Sequence, residues 1–256
     1  MSDIQIINPD ALGKALYDYY YYDPEGPCVI ERDDGYTDNA ELGQYFSDYP
    51  EWESITQLAI DKLNTGKVLD IGCGAGRHSL HLNQKGNNTI PVDKSPLLVS
   101  ICRDRGLDQS LIMDIDNPVF RNNVFDSILI VGDIIGLGQN LVNIKNRLIK
   151  LAEITSDDAM LLFDSQDPTY VDEHIHKSYY KNNQIKDSDA SRIKFRVKYN
   201  GIVDDWMNII FLSPEELDSI VEDTPWKLTE ILSPDDRSNW YSLNHGWYFG
   251  ILEKSP

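Results

Sequence analysis

The chain has 256 residues and sets 42 acidic against 23 basic side chains, a formal charge of −19. That length suits one domain with a cap or insertion rather than two full domains. The charge disfavours attraction to phosphate backbones and anionic membranes, so neither nucleic acid nor membrane is an expected partner.

Three scattered cysteines without a CxxC pair argue against a disulfide framework and a zinc cluster, and point to a reducing, cytoplasmic compartment. The opening M-S-D-I-Q-I-I-N-P-D has no signal-peptide pattern, and no run of about 18 apolar residues follows. A soluble protein, monomer or homodimer, is expected.

Residues 1–50 read as an aromatic-rich cap or lid: a helix over 9–20, then the turn signals D-P-E-G-P and D-D-G. Residues 51–256 read as the main domain. Trp52, Ile55, Leu58, Ala59 and Leu63 recur at helical spacing and Thr65-Gly66 ends that helix. K-V-L-D-I (67–71) is a strand, followed by a glycine turn and a helix over 78–85. The pattern recurs with a strand at 88–93, a helix at 96–105 and a strand at 109–114. F-D-S-I-L-I-V-G-D (125–133) is nearly all apolar, as a central strand buried on both faces must be. A helix over 140–154 and a strand over 159–164 complete the alternation, which predicts a parallel sheet covered on both faces.

Beyond Pro168 the stretch 169–190 is polar and broken. R-I-K-F-R-V-K-Y (192–199) alternates charged and apolar residues and can pair with 206–212, so an added β-hairpin is expected within an insertion spanning about 169–212. Ser213 and Pro214 open a helix, and strands follow at 226–232 and 246–253.

The run V-L-D-I-G-C-G-A-G-R-H (68–78) raises the question of which cofactor its glycines hold. A dinucleotide loop reads G-x-G-x-x-G. Here Gly72, Gly74 and Gly76 give G-x-G-x-G, and Arg77 stands where the third dinucleotide glycine would fall. Asp70, two residues before the first glycine, would repel a pyrophosphate but favour an ammonium or sulfonium.

D-I-G-C-G-A-G resembles the first motif of the class I S-adenosylmethionine-dependent methyltransferases, over roughly residues 55–165. The resemblance implies a doubly wound, seven-stranded, mostly parallel sheet with an N-terminal aromatic cap and an added hairpin. It implies S-adenosylmethionine as cofactor, held by Asp70, Gly72, Cys73, Gly74, Gly76, Asp93, Lys94, Asp114, Ile115, Val131 and Gly132. Asp93 is the expected acceptor of both ribose hydroxyls, Asp114 that of the adenine amine, and Val131 or Gly132 backbone meets the methionine amine.

On the acceptor side, Asp133 is the candidate catalytic residue and Tyr19, Tyr22, His174 and Trp206 are candidate substrate contacts. The His174-x-His176 pair has no third ligand nearby, so no metal is expected. V-G-D-I-I-G at the fourth strand departs from the N-P-P-Y or D-P-P-Y of base and glutamine methyltransferases. The arrangement looks more like the small-molecule methyltransferases acting on nitrogen or oxygen. A protein or peptide methyltransferase and a noncatalytic cofactor-binding protein are the alternatives.

Overall fold

A computed structural model of the chain describes residues 9–24, 26–138, 140–170, 174–185, 191–234 and 246–254. The leader supplies α1 (Ala11–Tyr21), β1 (Val29–Arg32) and β2 (Thr37–Asn39), then two short 3-10 turns, Leu42–Phe46 and Tyr49–Glu51. The alternating core follows as α2 (Ser54–Asp61), β3 (Lys67–Ile71), α3 (Arg77–Gln84), β4 (Asn88–Asp93), α4 (Pro96–Asp104), β5 (Leu111–Ile112), β6 (Phe125–Ile130), α5 (Leu141–Glu153) and β7 (Thr155–Gln166). The remainder is α6 (His174–Ile185), β8 (Arg192–Tyr199), β9 (Ile202–Val203), β10 (Met207–Ile210), α7 (Pro214–Val221), β11 (Trp226–Leu232) and β12 (Trp247–Lys254).

The main sheet has seven strands in the order β11-β12-β7-β6-β3-β4-β5. Pairing is parallel from β7 through β5, while β12 runs antiparallel to both β7 and β11. Alternation along β6 shows why this order is stable. Ile128 and Ile130 enter the core that holds Ile144, Leu148 and Leu151 of α5, whereas Leu129 enters the opposite core with Ile55 and Ala59 of α2 and Leu82 of α3. Both faces of the strand are therefore dry, which a continuous apolar run requires.

The expected hairpin is part of something larger. β8, β9 and β10 join the leader strands in a second, antiparallel sheet of five strands, ordered β10-β8-β1-β2 with β9 on β8. β1 and β2 fall where the sequence shows only turn signals. V-I-E-R hides its logic because Arg32 is the buried residue and Ile30 the exposed one. The Arg32 guanidinium is bonded to Asp34 and lies 4.8 Å from the Tyr36 ring and 4.3 Å from the Tyr179 ring.

Helix α1 joins the two sheets. Its Ala11, Ala15 and Leu16 share a core with Leu98 and Ile101 of α4 and with Val197 and Tyr199 of β8. Its cap Asp10 accepts from Gly13 N at 2.9 Å and from Ser95 Oγ at 2.5 Å. α6 also departs from expectation, being a helix inside the polar stretch; residues 186–190 of that stretch lie outside the described residues. No helix among the described residues is long and apolar enough to cross a membrane.

The second sheet is also fastened to the loop after β6. Gly138 N donates to Asn208 O at 3.1 Å, and a Cβ at Gly136 would stand 2.1 Å from the Ile210 carbonyl oxygen. Because that neighbour is backbone, Gly136→Ala should cost about 1–3 kcal/mol as overpacking, read as a lower urea midpoint.

Candidate functional site

Strand order reverses between β3 and β6, and the carboxyl ends of strands at such a switch point form the ligand crevice of open α/β sheets. Gly72, Gly74 and Gly76 follow β3 with φ of +71°, +56° and +80°. Three left-handed positions in five residues suit glycine alone. Gly72 N and Cys73 N donate to the Val92 carbonyl at 2.8 and 3.1 Å, which seats the loop on β4. Asp93 then ties it down from the side: its carboxylate accepts from Gly74 N at 3.2 Å and from Ser95 N at 2.9 Å.

Two buried carboxylates flank the loop. Asp70 is 2% exposed and accepts from Ser79 Oγ at 2.6 Å. Burial pushes its pKa up to about 6, with the Ser79 hydrogen bond opposing and the charge of Asp93 adding. Burial likewise raises Asp93 to about 6, against the two backbone N–H groups that hold it. A pyrophosphate beside this pair would add like charge in a low-dielectric site. A phosphate-free, cationic nucleoside suits the same residues.

That burial is costly when the carboxylate is ionised, and the cost is measurable at Asp70. A raised folded pKa means a stability contribution that is full below the unfolded value, about 3.9, and lost as pH rises through about 6. Asp70→Asn keeps an acceptor for Ser79 and should stabilise the ligand-free protein by about 1–3 kcal/mol at pH 8. The gain should vanish near pH 4, as urea denaturation at both values would show.

Asp114 is exposed and its Oδ1 accepts from Asp116 N at 2.8 Å, while Ile115 packs on the main core. Lys94 Nζ lies 3.8 Å from Met207 Sδ. The Cys73 and Cys102 sulfurs are 3.7 Å apart, and this contact together with burial holds the Cys73 thiol well above its ordinary pKa. Tyr19 stacks on Phe46 at 5.2 Å, and Tyr22 is exposed at the end of α1. Trp206 carries Lys194 and Arg196 on its ring at 5.6 and 4.4 Å. The described contacts of Tyr19, Tyr22 and Trp206 thus lie within the cap and second sheet. His174 opens α6, and its side chain falls outside the description.

Asp133 follows β6 in a left-handed conformation, φ +58°. Its Oδ2 accepts from Gln166 Nε2 at 2.8 Å, and its Oδ1 is enclosed with no hydrogen-bond partner among the described residues. Asp164, at the end of β7, accepts from Gly132 N at 2.8 Å, Asp133 N at 2.8 Å and Trp247 Nε1 at 3.2 Å. Burial raises both carboxyls: at Asp164 the three N–H donors oppose it, whereas at Asp133 the charge of Asp164 adds to it and carries the group well above the carboxylate range.

The sequence gives little notice of several supporting groups. Arg147 is 1% exposed; it donates to Asp116 and to the carbonyls of Ile135 and Leu137, fixing the turn after Asp133. Its only signal is a charged residue on the apolar stripe of α5. Asp164 signals itself only as a strand-end acid. Tyr45 has no signal: its ring lies 3.1 Å from where a Gly74 Cβ would stand. Its 3-10 turn is held by Arg77, which donates to Gln44 O at 2.8 Å.

Residues 69–134 match the family model described as a methyltransferase domain. A probable tRNA methyltransferase 9B of Mus musculus is 31% identical over 112 residues, which is 43% of this chain and 24% of that protein. A putative methyltransferase of a Geobacillus species is 24% identical over 138 residues, 50% of this chain and 54% of that one. The chain therefore spans between a quarter and about half of the length of these curated relatives. A Bacteroides fragilis methyltransferase solved with S-adenosyl-L-homocysteine superposes with a TM-score of 0.79 at 22% identity, covering 97% of this chain and 96% of that one.

Proposed function

We propose that this chain is a class I S-adenosylmethionine-dependent methyltransferase, which its methyltransferase-domain match and its fold support, and that it transfers a methyl group from S-adenosylmethionine to nitrogen or oxygen of a small-molecule acceptor. The observation that carries this reading is the glycine loop bound to the Asp93 carboxylate, with Asp70 buried beside it. It is a phosphate-averse cradle for a cationic nucleoside.

Bound S-adenosylmethionine supplies an electrophilic methyl on a sulfonium. The chain's part is to hold, orient and exclude water. Asp93 is the residue for the ribose diol, Asp114 and Ile115 for the adenine, and the carbonyls of Val131 and Gly132 for the methionine ammonium. An ammonium donates, so carbonyls are the backbone groups that can take it, while the amides of Gly132 and Asp133 donate to Asp164 and fix the direction of this turn. Tyr45 and Ile134, which pack against Gly74 and Gly72, close the crevice from the cap side and from the β6 loop. In-line alignment in a closed crevice can supply several kcal/mol of rate enhancement.

The small-molecule assignment is supported by the charge of −19, which opposes a polyanionic acceptor. The mouse relative's name favours a second reading, with tRNA as acceptor. Mass-detected methyl transfer against amine, phenol, carboxylate and thiol panels, with bulk tRNA in parallel, separates the two. Transfer to a small molecule is expected; transfer to tRNA alone would overturn the assignment.

A further inference from the structure

Asp133 and Asp164 set two carboxyls side by side after β6, and no cation among the described residues acts on Asp133. Asp164 is engaged by Gly132 N, Asp133 N and Trp247 Nε1, and Gln166 takes one oxygen of Asp133. Among the described residues the groups acting on Asp133 are Asp164 and the Gln166 amide, while Arg77 acts on Asp164 and Arg32 on Tyr180. Two phenols, the half-buried Tyr180 of α6 and the buried Tyr248 of β12, also feel its charge. Tyr248 is occupied, donating to Leu212 O at 2.8 Å. What the pocket lacks is a donor for the enclosed Oδ1 that also brings positive charge.

Candidate acceptors differ in how they meet that need. A hydroxyl supplies the donor and leaves the charge unbalanced. A carboxylate adds a third negative charge. An ammonium supplies both donor and charge.

Resting on the methyltransferase reading above, we propose that the acceptor is a basic amine, held as its ammonium on Asp133 Oδ1 beside Tyr180. Asp133 takes one N–H proton. The freed nitrogen lone pair forms the N–C bond as the C–S bond breaks, the bonding pair stays on sulfur as a thioether, and the positive charge passes to nitrogen. The proton then leaves Asp133 for solvent. The elevated pKa of Asp133 brings it closer to that of an amine, which suits proton transfer between them.

The test uses the full chain saturated with S-adenosylhomocysteine and titrated calorimetrically with size-matched amine, alcohol and carboxylate probes, from propyl to phenethyl. Amines should bind at least tenfold tighter than their alcohols, and Asp133→Asn should erase the difference. In wild type, amine binding should also release protons, measured across buffers of different ionisation enthalpy, while alcohol binding should release none; this holds even if the variant does not fold. Equal affinity within pairs, a preference that survives Asp133→Asn, or no amine binding to the saturated protein would overturn the amine assignment. Failure to bind S-adenosylhomocysteine at all would instead overturn the methyltransferase reading.

Discussion

Replacing Asp93 by alanine is expected to weaken S-adenosylmethionine binding by roughly 1.5–3 kcal/mol, the usual worth of hydrogen bonds to a charged group, or about 10- to 150-fold in Kd. Two losses contribute. The carboxylate that would meet the ribose diol is gone, and Gly74 N and Ser95 N lose their acceptor. The first acts on ligand affinity, and the second acts on the loop and on the start of α4. Calorimetry with S-adenosylhomocysteine beside urea denaturation separates them. An unchanged affinity would show that the ribose does not lie on Asp93.

Asp164→Ala is expected to lower folding stability by about 2–4 kcal/mol, because two backbone amides and an indole N–H lose one shared acceptor. Relief of repulsion at Asp133 offsets part of this loss. With the neighbouring charge removed, Asp133 should titrate at lower pH, so the rising limb of a pH–activity profile should move down. A midpoint unchanged in urea would mean that the β6 loop does not depend on Asp164.

The parts of the fold that were legible are those where burial writes a pattern. β6 is apolar on both faces because α2 and α3 cover one and α5 covers the other. Ser213 caps α7 and Pro214 opens that helix, as the sequence indicates, and Glu216 completes a capping box. α6 carries no such pattern. Among its described side chains the buried one is Tyr179, its phenol donating to Asp33 at 2.8 Å and accepting from Lys194 N at 3.1 Å. β1 and β2 fail the same way, since β1 pairs with β8 over a long range, β2 pairs with β1, and the one buried side chain of the two strands is Arg32.

The site divides similarly. The glycine loop and the strand-end acids stand at fixed offsets along the chain, so the family resemblance carries them over by position. Asp164, Tyr45 and Arg147 act through contacts with residues about 30 positions away, as in the bonds of Asp164 to Gly132 and of Arg147 to Asp116. Nothing local distinguishes them from a turn former, a surface aromatic or a helix cation. Tyr19, Tyr22 and Trp206 show the converse: aromatic composition draws attention to them, yet their contacts are with Phe46, Tyr17 and the basic side chains of β8.

The most direct test of a methyl-donor site built on Gly72, Gly74, Gly76 and Asp93 is calorimetric titration of the full chain with S-adenosylmethionine, S-adenosylhomocysteine and NAD+. One equivalent of each adenosyl sulfur compound should bind, and NAD+ should give no heat. Binding of neither sulfur compound, or tight binding of NAD+, would contradict the assignment.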